Sequence, residues 1–309
     1  GTVSGSTLIA PAGTYTITAT DGNSCTGTTT VTINEPAAIV AAATATDALC
    51  NGADGSAALS ATGGNSTYTF TSSGGTVSGS TLIAPAGTYT ITATDGNSCT
   101  GTTTVTINEP AAIVAAATPT DALCNGADGS AALSATGGNS TYTFTSSGGT
   151  VAGSTLTAPA GTYTITATDG NSCTGTTTVT INEPAAIVAA ATATDALCNG
   201  ADGSAALSAT GGNSTYTFTS SGGTVSGSTL TAPAGTYTIT ATDGNSCTGT
   251  TTVTINEPAA IVAAATATDA LCNGADGSAA LSATGGNSTY TFTSSGGTVA
   301  GSTLTAPAG

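Results

Sequence analysis

The sequence predicts an all-β fold, organised as a tandem array of small antiparallel β-sandwich domains. Two observations lead to this prediction. The 309-residue chain repeats itself with a period of 74, because the segment GTVSGSTL or GTVAGSTL begins at Gly1, Gly75, Gly149, Gly223 and Gly297. Within each period, apolar residues alternate with Thr or Ser, as expected of strands that bury one face. A unit of this length is too long for one solenoid turn and suits a small autonomous domain.

The triplet Asn-Glu-Pro predicts the joints between domains. It stands at residues 34–36, 108–110, 182–184 and 256–258. Proline has no backbone donor and keeps its predecessor extended, so a strand ladder stops there. The predicted domains are partial repeats at 1–36 and 259–309 and complete repeats at 37–110, 111–184 and 185–258. Both partial repeats interrupt a domain, so we expect a longer array or neighbouring molecules that complete the broken units.

Alternating runs define the strands within the repeat 37–110. The clearest runs lie at 56–62, 67–71, 88–94 and 104–107, and Gly-, Asn- or Pro-containing turns separate them. The Ala-rich stretch 37–49 has helical propensity, but its Ile, Val and Thr residues lie among strands without a capping pattern, so we interpret it as extended. Six or seven strands per unit indicate a sandwich of immunoglobulin type. Tyr89 takes the place of the tyrosine-corner residue of such sandwiches.

Composition excludes several functional classes. The chain has 16 acidic residues, no Lys, Arg or His, and a formal charge of −16. Without cations, binding to nucleic acid or to anionic membranes has no electrostatic basis. Acid–base and nucleophilic catalysis would have only carboxylates, thiols and tyrosines, so we do not expect an enzyme. No apolar run approaches the roughly 18 to 20 residues needed to span a bilayer, so membrane insertion is not expected.

Eight regularly spaced cysteines predict disulfides formed in an oxidising compartment. They are Cys25, Cys50, Cys99, Cys124, Cys173, Cys198, Cys247 and Cys272. We expect the pairs Cys50–Cys99, Cys124–Cys173 and Cys198–Cys247, which leave Cys25 and Cys272 without a partner in this chain. This pairing requires one strand over residues 76–83, because two strands would place the paired cysteines at opposite ends of the sandwich. The pairing of Cys25 with Cys50, repeated along the chain, remains open as an alternative that joins consecutive units.

The acidic residues offer a weak candidate metal site. The four acids of a unit, Asp47, Asp54, Asp95 and Glu109, are interpreted as solvated turn residues rather than a glycosidase pair, because no pocket-forming aromatic residues accompany them. Asp95, Glu109 and Asp121 are candidate Ca²⁺ ligands, since hard cations take oxygen ligands and these acids lie near a loop or joint. Their spacing matches no EF-hand loop, so no cofactor is expected.

Two surface features suggest ligands. Rows of Thr on the outward strand faces could order ice or bind a glycan, although Thr is also simply a strand-forming residue that tolerates water. Asn-Ser-Thr triplets are N-glycan acceptors in a eukaryotic secretory route and ordinary turns otherwise. They begin at Asn65, Asn139, Asn213 and Asn287.

An ordered set of motifs runs through every unit. Its front is CNGADGS at residues 50–56, followed by Gly63-Gly64 and Tyr68, and its back is AGTYTITATD at 86–95, followed by Cys99 and Asn-Glu-Pro. This set resembles the SprB-type repeat of large surface adhesins of gliding and related Bacteroidetes. The chain departs from that pattern at residues 65–67, where the family often has a Pro-Pro-Tyr-like entry, and in lacking a Trp. The resemblance implies secretion, cell-surface display and a role in adhesion or motility.

These expectations combine into one predicted function. The chain is expected to be an extracellular, cell-surface structural and adhesive protein that forms a stalk or filament. Its expected partners are further copies in a fibre, or the continuation of a longer array, together with surface glycans. The alternative is a ligand-binding adhesin that recognises a glycan or ice through Thr- and Tyr-rich strand faces, and it differs by predicting a saturable ligand.

Overall fold

The prediction of an all-β chain is confirmed. A computed structural model describes residues 1–307, and within them the regular secondary structure consists of 29 strands. Across the same residues, no helix is long and apolar enough to cross a membrane. The chain packs into two compact units. The first comprises Gly1–Ala117, Leu133–Thr145 and Thr164–Thr177, and the second comprises Thr118–Ala132, Ser146–Tyr163 and Thr178–Gly309.

In the first unit, residues 1–36 form two separate hairpins. The strands are β1 (Thr2–Ser4), β2 (Thr7–Ile9), β3 (Gly13–Thr20) and β4 (Thr26–Ile33). Among the described residues, β1 pairs only with β2, and β3 pairs only with β4.

The repeat 37–110 forms a complete sandwich in the first unit. Its strands are β5 (Val40–Thr46), β6 (Gly55–Thr62), β7 (Tyr68–Ser72), β8 (Thr76–Ser78), β9 (Thr81–Ala84), β10 (Gly87–Asp95) and β11 (Thr100–Ile107). One antiparallel sheet has the order β5-β6-β9-β8, and the other has the order β11-β10-β7. This is the immunoglobulin-like sandwich that the sequence predicts, and the Ala-rich stretch contributes strand β5 rather than a helix.

The repeat 111–184 has the same succession of strands, divided between the two units. They are β12 (Val114–Thr120), β13 (Gly129–Thr136), β14 (Tyr142–Ser146), β15 (Thr150–Ala152), β16 (Thr155–Ala158), β17 (Gly161–Asp169) and β18 (Thr174–Ile181).

The second unit contains a complete sandwich and a single sheet. The sandwich strands are β19 (Val188–Thr194), β20 (Gly203–Thr210), β21 (Tyr216–Ser220), β22 (Thr224–Ser226), β23 (Thr229–Ala232), β24 (Gly235–Asp243) and β25 (Thr248–Ile255). Their sheets have the orders β19-β20-β23-β22 and β21-β24-β25. The single sheet consists of β26 (Val262–Thr268), β27 (Asp276–Thr284), β28 (Thr298–Ala300) and β29 (Thr303–Pro307), in the order β26-β27-β29-β28.

The core lies between the two sheets of each sandwich. Because successive strand residues face opposite sides, β10 buries Ile91 and Ala93 completely while its Thr residues face outward. The core of the repeat 37–110 consists of Ala57, Leu59, Leu82, Ala84, Ile91, Val105 and Ile107. The Tyr89 hydroxyl donates to the carbonyl of Pro85 at 2.8 Å, as in a tyrosine corner.

Residues 76–83 form two strands, whereas the predicted disulfides require one. Strands β8 and β9 pair from Thr76 opposite Ile83 to Ser78 opposite Thr81. Gly79 lies between them at φ +59°, a conformation that glycine adopts without steric cost, so the chain reverses within two residues. The complete repeat therefore has seven strands.

Candidate functional site

Disulfides join consecutive repeats at the joints. In the first unit, Cys50 is bonded to Cys173 with a Cα–Cα distance of 5.5 Å. In the second unit, Cys124 is bonded to Cys247 in the same way. Each bond spans 123 residues of sequence and links the loop before the second strand of one repeat to the loop before the last strand of the next.

The predicted pairs Cys50–Cys99, Cys124–Cys173 and Cys198–Cys247 are therefore wrong. Cys99 immediately precedes β11, whereas the loop of Cys50 is hydrogen-bonded to residues that follow β11. A strand of that length separates the two ends by about 25 Å, far beyond the reach of a disulfide. The alternative scheme, which begins with Cys25–Cys50, is also absent from residues 1–307. Within that range, the thiols of Cys25, Cys99, Cys198 and Cys272 are free and exposed.

The loop that carries Cys50 is fastened to the end of its own repeat by Asn108 and Glu109. The backbone N–H of Asn108 donates to the Asp47 carboxylate at 2.8 Å, and the N–H of Ala48 donates to the Asn108 carbonyl at 2.9 Å. The Glu109 carboxylate accepts a hydrogen bond from the backbone N–H of Gly52 at 2.5 Å. We call these contacts the loop clamp.

The loop clamp also includes the proline of the triplet and recurs in the second unit. The side-chain amide of Asn51 donates to the carbonyl of Pro110 at 3.2 Å. The corresponding contacts of the next joint are Asp121–Asn182, Ala122–Asn182, Gly126–Glu183 and Asn125–Pro184. The cysteine loop and the linker thus form one hydrogen-bonded platform.

Two consecutive glycines of the next repeat, Gly137 and Gly138, contact the backbone of the linker. The N–H of Gly138 donates to the carbonyl of Ala111 at 2.8 Å. Gly137 has φ +87°, and a Cβ atom there would overlap the carbonyl oxygen of Ala112. Only glycine therefore allows this close approach of two backbones. Residue 110 is held by one repeat and residue 111 by the next, so the linker is attached on both sides of the boundary.

A buried carboxylate shapes the loop that carries Cys173. Asp169 is 5% exposed, and its Oδ1 accepts the N–H groups of Asn171 and Cys173 at 2.9 Å each. Its Oδ2 accepts the N–H of Asn139 at 3.1 Å. Burial opposes the charged form, but the three N–H donors outweigh it and lower the pKa of Asp169 below 3.8. The Asn171 amide then donates across the joint to the carbonyl of Leu49 at 3.5 Å.

The candidate calcium ligands have other partners. Asp95 accepts backbone N–H groups in the same manner as Asp169, and its pKa is lowered in the same direction for the same reasons. Glu109 and Asp121 belong to the loop clamps described above. Among residues 1–307, no group of three or more Cys, Asp or Glu side chains is arranged to hold a metal ion.

Asn65, the first residue of an Asn-Ser-Thr triplet, is a turn residue. Its Oδ1 accepts the N–H groups of Thr67 and Gly96, both at 3.2 Å. Its own N–H donates to Asp95 at 3.1 Å. The side chain is exposed at the surface, but its acceptor already serves the loops around Asp95.

The outward face of the sheet β11-β10-β7 is a continuous array of threonines, which we call the Thr face. On this face, Thr92 and Thr94 of the central strand β10 pair with threonines of both neighbouring strands, β11 and β7. The hydroxyls of Thr88 and Thr106 lie 2.9 Å apart. The cross-strand pairs of β10 and β11 on this face are Thr88–Thr106, Thr90–Thr104, Thr92–Thr102 and Thr94–Thr100.

Comparison with known families identifies the repeat. The family model described as the SprB repeat matches residues 42–77, 116–151, 190–225 and 264–299. No curated protein matches the chain significantly.

Solved structures of immunoglobulin-domain arrays are similar to this chain. Domains A168–A170 from titin match with 10% identity over 71% of this chain and 99% of that chain, at a TM-score of 0.29. The N-terminal eight immunoglobulin domains of Down Syndrome Cell Adhesion Molecule match with 12% identity over 97% of this chain, at a TM-score of 0.27. The present chain spans 60% of that structure.

Proposed function

Because this chain is a tandem SprB-repeat protein, we propose that it is an extracellular structural and adhesive protein that forms a cell-surface stalk or filament. In this proposal the fold serves to keep a fixed distance between repeats, and no catalytic chemistry is involved. The domains are proposed to be those predicted above, with boundaries after residues 36, 110, 184 and 258. The loop clamps support these boundaries, because residue 110 bonds backward and residue 111 bonds forward.

The construction of the joints is the observation that supports a mechanical role best. Each of the two disulfide-closed joints combines a covalent bond, a loop clamp and a glycine-lined contact for the linker. A chain whose repeats only needed to be connected could use a flexible linker, which costs little in stability. Three devices at one joint restrict motion between the repeats, as a protein that transmits force or keeps a fixed distance requires.

The disulfides also support an extracellular location. Disulfides persist in oxidising compartments and are rare in the cytosol. The proposal is tested by immunogold labelling of intact cells that produce the protein, combined with thiol alkylation of the native material. We expect label on extended surface structures and no alkylation of Cys50, Cys124, Cys173 or Cys247. Label confined to the cell interior, or free thiols at these four positions, would contradict the proposal.

The Thr face supports a second candidate function, which is binding of a glycan or ice. Hydroxyls on alternate residues of neighbouring strands recur at about 4.8 Å across the sheet and about 6.7 Å along it, which gives a regular polar lattice. Thermal hysteresis and glycan-array binding test this candidate. Replacing Thr90 and Thr104 by Lys, together with their counterparts in the other repeats, should abolish either activity. Lys at Thr81 and its counterparts, exposed on the opposite sheet, should not. If the unmodified chain shows neither thermal hysteresis nor glycan binding, this candidate function is rejected, and the threonines serve only to form strands.

A further inference from the structure

Every complete repeat carries one Asn-Gly dipeptide, which lies in the loop of its first cysteine. In the repeat 111–184 it is Asn125-Gly126, directly after Cys124, and the other asparagines of that repeat precede Ser or Glu. Asparagine is a labile residue. Its side-chain carbonyl carbon is attacked by the next backbone nitrogen, and a following glycine hinders this attack least because it has no Cβ. Both residues are exposed to water, so sequence and exposure alone predict rapid deamidation here.

The reaction has two steps and needs no oxidant or cofactor. The Gly126 nitrogen bonds to the side-chain carbonyl carbon of Asn125, and the bond from that carbon to the amide nitrogen breaks. The proton lost by Gly126 leaves with the amide group as ammonia. Water then opens the five-membered imide at one of its two carbonyl groups, which gives aspartate or isoaspartate.

The loop clamp holds the nitrogen that would attack. The N–H of Gly126 donates to the Glu183 carboxylate at 2.5 Å. A hydrogen bond to a charged acceptor stabilises the protonated nitrogen. If the proton were lost, the nitrogen anion would lie at hydrogen-bond distance from a like charge, which is unfavourable. The contact therefore opposes formation of the nucleophile.

The loop clamp also holds the group that would be attacked. The side-chain amide of Asn125 donates to the Pro184 carbonyl at 3.2 Å. The backbone is fixed as well, because the N–H of Ala127 donates to the Cys124 carbonyl at 3.2 Å and Gly126 has φ +75°, as in a type II turn. In such a turn the ψ angle of the first central residue is near +120°. The imide ring requires a ψ angle of the opposite sign, since it holds the next nitrogen on the side of Cβ.

The same arrangement is present at all three complete repeats. Asn51 and Asn199 donate to the carbonyls of Pro110 and Pro258, and the N–H groups of Gly52 and Gly200 donate to Glu109 and Glu257. The turn bond recurs from Ala53 to Cys50 and from Ala201 to Cys198. Each Asn-Gly dipeptide is thus held at both reacting groups by the Asn-Glu-Pro triplet of its own repeat.

We propose that Asn51, Asn125 and Asn199 are deamidation sites that the loop clamp keeps unreactive, and that the glutamate of each clamp is the main protecting group. Opening of a clamp frees the glycine nitrogen and the asparagine side chain together. The modification therefore reports which joints have opened. This inference concerns the chemistry of the purified chain and does not depend on the stalk function proposed above.

Deamidation prevents the clamp from forming again. Aspartate and isoaspartate have no N–H group in the side chain, so neither can donate to the Pro184 carbonyl. Their new charge lies in the loop that receives the Glu183 carboxylate. Isoaspartate also adds one carbon to the backbone next to Cys124. A joint that has reacted is left without part of its clamp.

The test measures the deamidation rate of Asn125 by mass spectrometry in mildly alkaline buffer. Pepsin digestion in acid, where deamidation is slow, yields overlapping peptides, and those spanning residues 119–126 identify Asn125. Pro119 distinguishes them in mass from the corresponding peptides of the other repeats, which have alanine at that position. The reference is the reduced chain unfolded in guanidinium chloride. We expect Asn125 to react at least about tenfold more slowly in the folded chain, because reaction there requires local opening.

Substitutions of Glu183 test its role directly. Glu183→Ala should raise the deamidation rate of Asn125 about tenfold, the factor expected when a hydrogen bond to a charged group is lost. Glu183→Gln keeps an acceptor but removes the charge, so its increase should be smaller. Asp128→Ala is the matched control, because Asp128 is an exposed acid of the same loop outside the clamp. It should leave the rate unchanged, as should all three substitutions for the peptides of the other repeats.

Two results would overturn the proposal. One is equal deamidation of Asn125 in the folded and unfolded chains. The other is an unchanged or slower reaction in Glu183→Ala, since a slower reaction would mean that the carboxylate removes the Gly126 proton instead of retaining it. Intact Cys50–Cys173 and Cys124–Cys247 bonds, and unaltered rates in the other repeats, show that the variants are folded.

Discussion

Acidic side chains in this protein shape the backbone at three buried positions. Asp95, Asp169 and Asp243 each end a strand and accept three backbone N–H groups. The sequence predicts solvated turn acids and cannot separate these residues from Asp54, which is also followed by glycine. Only the folded structure shows that Asp95 is buried and Asp54 is exposed.

The buried aspartates predict a loss of stability in acid. Their pKa values are lowered from the ordinary value of 3.8, since the N–H donors outweigh burial. A group whose folded pKa is lowered stabilises the fold above its unfolded pKa, and this contribution is lost as pH falls through the folded value. The melting temperature should therefore decrease below about pH 3.8. The variant Asp169→Asn should melt lower at neutral pH and show a smaller acid decrease. An identical pH profile for both proteins would contradict this role.

Gly137 and Gly138, which contact the linker, predict an effect of substitution on the free energy of unfolding. Gly137→Ala should destabilise the chain by more than about 2 kcal/mol, because the new methyl adds a steric clash with Ala112 to the cost of a left-handed backbone. Gly126→Ala is the control, since Gly126 has φ +75° but open space around it, and should cost about 1 kcal/mol. Urea unfolding measures both. Equal losses would mean that contact with the linker is unimportant.

Among strands, long alternating runs were predictable and short ones were not. Strands β6, β7, β10 and β11 carry a clear two-residue period, and the structure has a strand at each of these runs. Strands β8 and β9 have three and four residues, too few to show a period. The sequence therefore leaves open whether residues 76–83 contain one strand or two.

The number of strands in residues 76–83 decides whether Cys50 can reach Cys99. An additional strand reverses the chain direction and moves Cys99 to the opposite end of the sandwich from Cys50. The regular cysteine spacing fits both pairing schemes considered from the sequence and also the observed pairing across 123 residues. The strand count excludes the pairing Cys50–Cys99, and only the folded structure distinguishes the other two. Ala57 and Ala84 are fully buried, although side chains this small give little hydrophobic signal in the sequence.

The loop clamp was missed because its partners lie far apart in sequence, as Asp47 and Asn108 do. It predicts that Asp47→Ala loosens the linker. Loss of the hydrogen bonds to Asn108 should accelerate hydrogen exchange of the Asn108 amide at least tenfold and destabilise the repeat by about 1 kcal/mol. Asp54→Ala removes an acid of the same loop that is not part of the clamp and should change neither quantity. Unaltered exchange at Asn108 in the Asp47 variant would show that the clamp is not formed in solution.

For the whole molecule, the two disulfides form overlapping covalent loops. When the chain is unfolded and pulled taut from its ends, the shortest route crosses from residue 50 to 173, runs back to 124, and crosses to 247. Without the Cys50–Cys173 bond, the route runs forward from residue 50 to 124 and then crosses to 247. Without the Cys124–Cys247 bond, it crosses from 50 to 173 and then runs forward to 247. In both cases the forward run is longer than the backward run that it replaces. If both are removed, the full chain extends. The two bonds therefore do not contribute equally when they are removed in sequence.

Optical-tweezers measurements of the unfolded contour length can test this topology, with the free thiols alkylated beforehand. Cys50→Ser should lengthen the taut chain by only about 80 to 90 Å, since about 25 more residues enter the route. Adding Cys124→Ser should lengthen it by about 400 to 440 Å more, because the second bond spans 123 residues. Reversing the order of the substitutions should give the same two increments. Disulfides closed within single repeats would instead give two equal increments of about 160 to 175 Å. Equal increments would therefore reject the inter-repeat bonds and, with them, the joint on which the proposed stalk depends.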